Sequence, residues 1–199
     1  MPGTRQKAAG VSKLKDRRVR RTRAHLTLAF AELLLLRSYE SIRVTDITRR
    51  ADVGRATFYS HYSGKKDLLR AELRRLFGSL LVARLDLPGL LDSTALFSHL
   101  KQGHRVYRSL MRGTSRPLVS AIMRSAAEER VVEILAHSQC GKPNAGGMPA
   151  SLVARFVADT LLGLIDWWEE RDMRHSPDEM QAAFGAFVGG GVGAAIVDG

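Results

Sequence analysis

Apolar residues recur at three- and four-residue steps along most of this chain, which is the period of an amphipathic helix. The first stripe consists of Leu26, Ala29, Phe30, Leu33 and Leu34. A later stripe consists of Leu68, Leu69, Leu73, Leu76, Phe77, Leu80 and Leu81. No segment alternates convincingly between apolar and polar residues, as a half-buried strand would. The pattern therefore predicts an all-α protein with about nine helices.

Gly, Pro and Ser clusters place the ends of these helices. The predicted helices cover about 17–37, 44–51, 55–61, 65–87, 93–101, 103–112, 117–137, 151–173 and 178–188. Residues 1–16 are polar, basic and contain Gly and Pro, so we expect a flexible arm there. The segment 138–149 contains three Gly and two Pro and predicts a loop.

The positive charge of the chain is concentrated in its first third. Residues 1–75 hold 19 Lys and Arg against 7 Asp and Glu, a net of +12, whereas residues 76–199 hold 12 against 13. This asymmetry is typical of a nucleic-acid-binding module joined to a near-neutral body. An anionic membrane surface is the competing partner for a basic end.

The residues that would support catalysis or metal binding do not cluster in the sequence. The only cysteine is Cys140, so an intrachain disulfide and a cysteine-built metal site are excluded. The six histidines are scattered, and no nucleophile–base pair or glycine-rich phosphate loop is recognisable. We therefore expect no enzyme activity, no metal and no cofactor.

Two short helices joined by Asp52-Val53-Gly54 fit the spacing of a helix-turn-helix motif, whose second helix enters the major groove. Helical hairpins of this size are common, so the spacing alone is a weak indication. Phe58 lies on the second helix and is expected to face the core with Ile47, Ala51 and Val53.

The run TFYSHYSGK at 57–65, preceded by IRVTDITRRADVGRA at 42–56, is more specific. Residues 20–70 resemble the DNA-binding domain of TetR-family regulators, in which Thr-Phe-Tyr-x-His-Phe/Tyr-x-x-Lys is the typical core. One departure is Gly54, which stands where the family usually has a serine that caps the recognition helix. The resemblance implies three segments: a flexible basic arm (1–16), a helix-turn-helix domain (17–64) and a helical regulatory and dimerisation domain (65–199).

Roles in DNA recognition follow for the motif residues. Arg55 is the best base reader, because a guanidinium group fits the O6/N7 edge of guanine. Ala56 and Thr57 are placed to meet a thymine methyl group, and the resemblance implies a phosphate contact for Tyr59. The full set of predicted DNA-binding residues is Arg43, Val44, Thr45, Gly54, Arg55, Ala56, Thr57, Tyr59, Ser60, His61 and Lys65.

The resemblance also implies that residues 65–199 hold a ligand pocket and that the last two helices pair with a second copy of the chain. Residues 163–184 resemble the dihydroxyacetone-kinase-regulator subgroup of the family. Candidate pocket residues, a type of residue that more often belongs to an ordinary core, are Phe97, Leu100, Tyr107, Leu110, Met111, Ile122 and Trp167. Candidate dimer-interface residues are Val153, Val157, Leu161, Trp168, Phe184 and Phe187.

The function expected from these features is a cytoplasmic, homodimeric, sequence-specific DNA-binding regulator. A ligand-responsive repressor is the leading form, and an activator or a regulator that senses a partner protein is the alternative within the same fold. Its expected partners are a double-stranded operator, a second copy of itself and an unidentified small-molecule effector, with no membrane. A helical small-molecule-binding protein or a peripheral membrane protein with a basic arm is the alternative from another class.

Overall fold

The computed structural model describes the backbone of residues 3–83, 91–138 and 148–197, and the side chains of 17–83, 91–137 and 148–190. Nine α-helices dominate these described residues, which confirms the all-α class. They are α1 (Gly3–Leu36), α2 (Val44–Arg50), α3 (Arg55–Tyr59), α4 (Lys65–Leu80), α5 (Thr94–Gln102), α6 (His104–Leu110), α7 (Arg116–Ser138), α8 (Ala150–Glu169) and α9 (Pro177–Val197). A short 3₁₀ helix, Gly113–Ser115, precedes α7.

Helix α1 begins at Gly3, so its backbone is helical over most of the segment in which we predicted an irregular arm. Apart from Gly3 and Gly10, this stretch consists largely of Ala, Lys, Arg and Gln, which have high helix propensity. The polar composition suggested an arm, whereas intrinsic propensity favours continuing the helix.

Helix α8 ends at Glu169, earlier than the predicted end near Met173. Asp172 and Met173 adopt left-handed backbone angles, with φ of 53° and 50°, and the Met173 N–H donates to the Trp168 carbonyl at 2.9 Å. This geometry closes a helix in the way that glycine usually permits. Because no glycine stands here, the sequence carried no stop signal at this point.

Helix α9 begins with a reciprocal cap. The Ser176 N–H donates to the Glu179 carboxylate at 2.6 Å, and the Glu179 N–H donates to the Ser176 hydroxyl at 3.2 Å. These hydrogen bonds lower the pKa of Glu179 below its ordinary value, because they stabilise the carboxylate. The helix continues through its glycines to Val197, past the predicted end near residue 188.

One small antiparallel ladder, not predicted from the sequence, joins β1 (Val82–Ala83) to β2 (Leu91–Asp92). Two-residue strands have no measurable period, so periodicity analysis misses them. The Gln181 side chain of α9 anchors β2: its N–H donates to the Leu91 carbonyl at 3.1 Å, and its oxygen accepts from the Ser93 N–H at 2.7 Å.

The chain forms two compact units, Met1–Leu69 (the N-terminal unit) and Arg70–Gly199 (the C-terminal unit), and the division falls inside α4. In the N-terminal unit, the predicted α1 stripe is buried together with residues of α2, α3 and α4. The buried apolar residues are Leu26, Ala29, Phe30, Leu33, Leu34, Tyr39, Ile42, Ile47, Ala51, Phe58, Tyr62, Leu68 and Leu69. Each unit therefore has its own core.

Candidate nucleic-acid interface

Helix α2 starts where the Asp46 carboxylate accepts a hydrogen bond from the Arg43 N–H at 2.8 Å. That bond, together with Arg37 at 3.5 Å, lowers the pKa of Asp46, because both favour the charged form. The cap leaves Arg43 exposed and Val44 and Thr45 half-buried at the front of the helix. These three predicted contact residues therefore lie at one end of α2.

The turn after α2 brings the chain into α3. Asp52 adopts a left-handed backbone with φ of 51°, and the Val53 N–H donates to the Thr48 carbonyl at 3.0 Å. Gly54 then caps α3 in an extended conformation, with φ −63° and ψ 145°, and it makes no side-chain hydrogen bond. The absence of the serine cap leaves the α3 N-terminus without a side-chain acceptor at that position.

Phe58 attaches α3 to the N-terminal unit. Its ring is 0% exposed and packs against the rings of Tyr59 and Tyr62 at centroid distances of 5.5 and 5.8 Å. The expected inward position of Phe58 is therefore observed. Because α3 spans only five residues, this single buried ring dominates its packing.

The opposite side of α3 is open to solvent. Arg55, Ala56, Thr57 and Ser60 are exposed, and Tyr59 is 51% exposed despite its contact with Phe58. The Ser60 hydroxyl donates to the Thr57 carbonyl at 2.7 Å, while His61 is half-buried beside Tyr62. The residues proposed to read DNA thus lie along the solvent-accessible side of a short helix that Phe58 anchors.

Lys65 does not lie on this face, which corrects the predicted phosphate contact of its side chain. Its Nζ donates to the carbonyls of Tyr39, Glu40 and Ile42 at 2.7, 3.0 and 2.8 Å, and it lies 4.4 Å from the centre of the Tyr39 ring. An ammonium group has three N–H donors, and all three are used. Burial lowers the pKa of Lys65, since desolvation disfavours its charge, with Glu40 acting in the opposite direction.

Replacing Lys65 with Met should destabilise the N-terminal unit by roughly 1–3 kcal/mol, because three carbonyls lose their donor. Circular dichroism during urea denaturation measures this loss, and Lys66→Met, which alters an exposed neighbour, should change stability little. If the Lys65→Met variant keeps its stability but its DNA binding depends less on salt, the Lys65 side chain contacts a DNA phosphate as first predicted.

The C-terminal unit corrects most of the predicted dimer interface. Val157, Leu161, Trp168 and Phe184 are at most 1% exposed and form part of the internal core of this unit. Side chains already buried within one chain have no surface to offer a partner. Val153 is half-buried, and only Phe187, at 58% exposed, presents most of its ring to solvent.

The open apolar surface of this unit lies on a neighbouring face of α8 and on α9. Leu152, Phe156 and Trp167 are 53%, 44% and 39% exposed. A groove of about 620 Å³, the α8–α9 groove, runs along this surface. It is lined by Asp159, Thr160, Gly163, Leu164, Trp167, His175, Glu179, Met180, Ala183 and Phe187.

Most of the predicted pocket residues are buried in the C-terminal unit. Phe97, Tyr107, Leu110, Met111 and Ile122 are at most 8% exposed, and Leu100 is half-buried. Trp167 does not join them: its ring lines the α8–α9 groove and contacts Arg171 at 4.3 Å and His175 at 5.1 Å, so its place in a ligand pocket stays a prediction. Burial fits both a ligand pocket and an ordinary core, so the pocket stays a prediction.

No helix among the described residues is long and apolar enough to cross a lipid bilayer. The fold and the site together define a class: a helix-turn-helix protein with a separate, larger helical unit. A sequence model described as "Bacterial regulatory proteins, tetR family" matches residues 27–71, and one described as "Transcriptional regulator C-terminal region" matches residues 93–189. The chain belongs to the TetR family of transcriptional regulators.

Individual relatives agree with this assignment. The uncharacterized HTH-type transcriptional regulator YxbF of Bacillus subtilis (strain 168) is 28% identical over 194 residues, which cover 94% of this chain and 49% of that protein. The chain therefore spans about half the length of this curated relative.

Solved structures share the fold. A TetR transcriptional regulator from Streptococcus agalactiae 2603V is 26% identical, with a TM-score of 0.57 over 89% of this chain and 98% of that chain. The dihydroxyacetone kinase operon activator DhaS is 17% identical, with a TM-score of 0.59 over 84% of this chain and 93% of that chain, which shows a common fold alone.

Proposed function

We propose that this protein is a sequence-specific DNA-binding regulator that acts as a homodimer, with ligand-responsive repression as its leading form. The observation that carries the proposal is the exposed α3 face, from Arg55 to Ser60, fixed in place by the fully buried Phe58. A polar, accessible helix on a strongly basic N-terminal unit matches the requirements of a recognition helix.

The proposed DNA contacts fall into two groups, those to base edges and those to phosphates. Arg55 is the donor suited to a guanine edge, and the methyl groups of Ala56 and Thr57 are suited to a thymine methyl. Hydroxyl and imidazole groups of Tyr59, Ser60 and His61 are suited to phosphate oxygens, which set the register of the helix on the duplex. Arg43 at the front of α2 would hold the flanking backbone.

The homodimer that we propose would form through the α8–α9 groove and the exposed apolar side chains beside it. Phe156, Trp167 and Phe187 expose large apolar side chains on α8 and α9, and a concentration of such side chains is typical of an interface. A two-fold axis through this face would repeat the recognition helix, so that two half-sites about 34–36 Å apart are read together.

An effector bound among the buried residues of the C-terminal unit would change operator affinity only if it favoured one conformation of the dimer over another. Tyr107 is the most distinctive polar group in that region. Its hydroxyl donates to Asp166 at 3.4 Å, and burial raises its pKa, so the group stays neutral and its oxygen remains available as a hydrogen-bond acceptor.

Selection of bound duplexes from a random pool by the full chain tests this function. We expect a palindromic consensus, and binding to the selected duplex should persist at salt concentrations that dissociate a scrambled duplex. Loss of both complexes at the same salt concentration would refute sequence-specific regulation.

Two substitutions on α3 then separate base reading from phosphate contact. Arg55→Ala should cost roughly 1–3 kcal/mol and relax the preference at one base position, because it removes a base contact. Tyr59→Phe should weaken the selected and scrambled duplexes alike, since a phosphate contact carries no sequence information. Equilibrium binding to duplexes changed at single positions measures both, and equal losses for every duplex with Arg55→Ala would remove it as a base reader.

A further inference from the structure

Five arginines project from one short part of α1 without an acidic partner among the side chains that the structure describes. Arg17, Arg18, Arg20, Arg21 and Arg23 are all exposed, and none forms an ion pair within the described side chains. The sequence contains no Asp or Glu between residues 17 and 31. By contrast, Arg37 and Arg50 of the same unit pair with Asp46 and Glu32 at 3.5 and 2.6 Å.

The spacing of these arginines destabilises the helix electrostatically when no anion is bound. Arg17 lies one helical turn from both Arg20 and Arg21, and Arg20 lies one turn from Arg23. Like charges at these spacings repel each other on a helix surface. A polyanion that contacts this surface would relieve the repulsion.

This part of α1 contributes little to the core of its own unit. The first fully buried residue of the described part of α1 is Leu26, and the positions from 17 to 25 are exposed or half-buried. With 100° of rotation per residue, Arg17, Arg20 and Arg21 lie on the side of the helix opposite Leu26 and Leu33. The helix therefore extends from the core as a basic rod.

The direction of this rod follows from two ion pairs. Arg37 near the end of α1 contacts Asp46 at the start of α2, whereas Glu32, earlier in α1, contacts Arg50 at the end of α2. The two helices are thus antiparallel, and the N-terminal part of α1 continues past the end of α2. That end leads directly into the turn and into Arg55, the first residue of α3.

We propose that Arg17, Arg18, Arg20, Arg21 and Arg23 form a second DNA-binding surface that contacts phosphates beside the base pairs read by α3. The inference rests on the proposed function and adds a partner surface outside the helix-turn-helix. Guanidinium groups on several sides of a helix suit phosphates, which surround the duplex, better than base edges, which require one precise direction.

DNA is favoured over a lipid surface by the residues between the arginines. A helix that lies in a membrane interface needs a broad apolar face. In residues 17–25 the only apolar side chains are those of Val19 and Ala24, which cannot form such a face.

The test compares two variants of the full chain with the same change in charge. Arg17→Gln/Arg21→Gln removes two positive charges from the proposed surface, and Arg105→Gln/Arg112→Gln removes two exposed ones from the C-terminal unit. Glutamine keeps a good helix propensity, so circular dichroism should show unchanged helix content.

We expect the slope of log K against log salt to fall by about 3–4 for the Arg17/Arg21 variant, because a dimer would lose four phosphate contacts. The loss should be equal for selected and scrambled duplexes. It should disappear on a duplex trimmed to the base pairs read by α3, which has no flanking phosphates. The Arg105/Arg112 variant should match the parent protein.

A selected consensus combined with identical salt slopes for the parent and the Arg17/Arg21 variant would overturn this inference while leaving the proposed function intact. Failure to select any consensus would instead contradict the proposed function. Unchanged DNA binding by this variant, together with lost binding to vesicles of phosphatidylserine and phosphatidylcholine, would assign the surface to membranes and also overturn the inference.

Discussion

Replacing both Phe156 and Phe187 with Glu should convert the proposed homodimer into a monomer. The two side chains are 44% and 58% exposed beside the α8–α9 groove, so the substitutions are tolerated in the isolated chain. In a two-fold interface each appears twice, and each buried, unpaired carboxylate costs at least about 2 kcal/mol. The four carboxylates of the dimer together cost at least about 8 kcal/mol, so the dissociation constant should rise by at least about five powers of ten.

Sedimentation over a range of protein concentrations measures this change. Val132→Glu is the matched control, because Val132 is 40% exposed on α7 and does not line the groove. Dimers of unchanged affinity in the Phe156/Phe187 variant would show that the interface lies elsewhere. If the variant is monomeric, it should also bind the selected duplex much more weakly, since only one half-site remains occupied.

Replacing Phe58 with Ala should unfold the N-terminal unit selectively. A fully buried Phe reduced to Ala costs about 3–5 kcal/mol, which is comparable to the entire stability of a small domain. DNA affinity should fall by more than 100-fold, because an unfolded unit presents no recognition helix. The dimer should persist, since the C-terminal unit has its own core.

The two units can be followed separately, because both tryptophans, Trp167 and Trp168, lie in the C-terminal unit. Tryptophan fluorescence reports urea unfolding of that unit alone, whereas circular dichroism reports both. Tyr59→Ala, on the more exposed side of the same helix, should shift the unfolding curves much less than Phe58→Ala while still weakening DNA binding. A Phe58→Ala variant with parent-like unfolding would contradict the anchoring role of this ring.

The helix-turn-helix was predictable because its determinants are local. Phe58 lies on the buried side of α3 and Arg55, Ala56 and Thr57 on the exposed side, an arrangement that follows from helical geometry over a few residues. The α1 stripe was equally readable, because one apolar face and one charged face leave a single way to pack a helix.

The buried face of helix α8 could not be predicted from the spacing of its apolar residues. Trp167 and Trp168 are adjacent, and apolar residues cover two faces of the helix, so periodicity predicted burial on both without ranking them. The neighbouring elements determine which face is buried. Phe97 packs edge-on against Trp168 with ring centroids 5.6 Å apart, whereas Trp167 lines the groove with Phe187. The three buried residues of α8 among the predicted interface residues, Val157, Leu161 and Trp168, were assigned to the wrong face for this reason.

The sequence by itself determined the helical class, the two-short-helix motif with its inward Phe58, and the basic character of the N-terminal unit. These properties depend on residue type and on spacing within one or two helical turns. Only the tertiary structure showed that the Lys65 ammonium donates hydrogen bonds to backbone carbonyls 23 to 26 residues earlier in the chain. It also showed which face of α8 remains exposed to solvent. Both outcomes depend on contacts between segments distant in the chain, and neither periodicity nor composition encodes which distant groups meet.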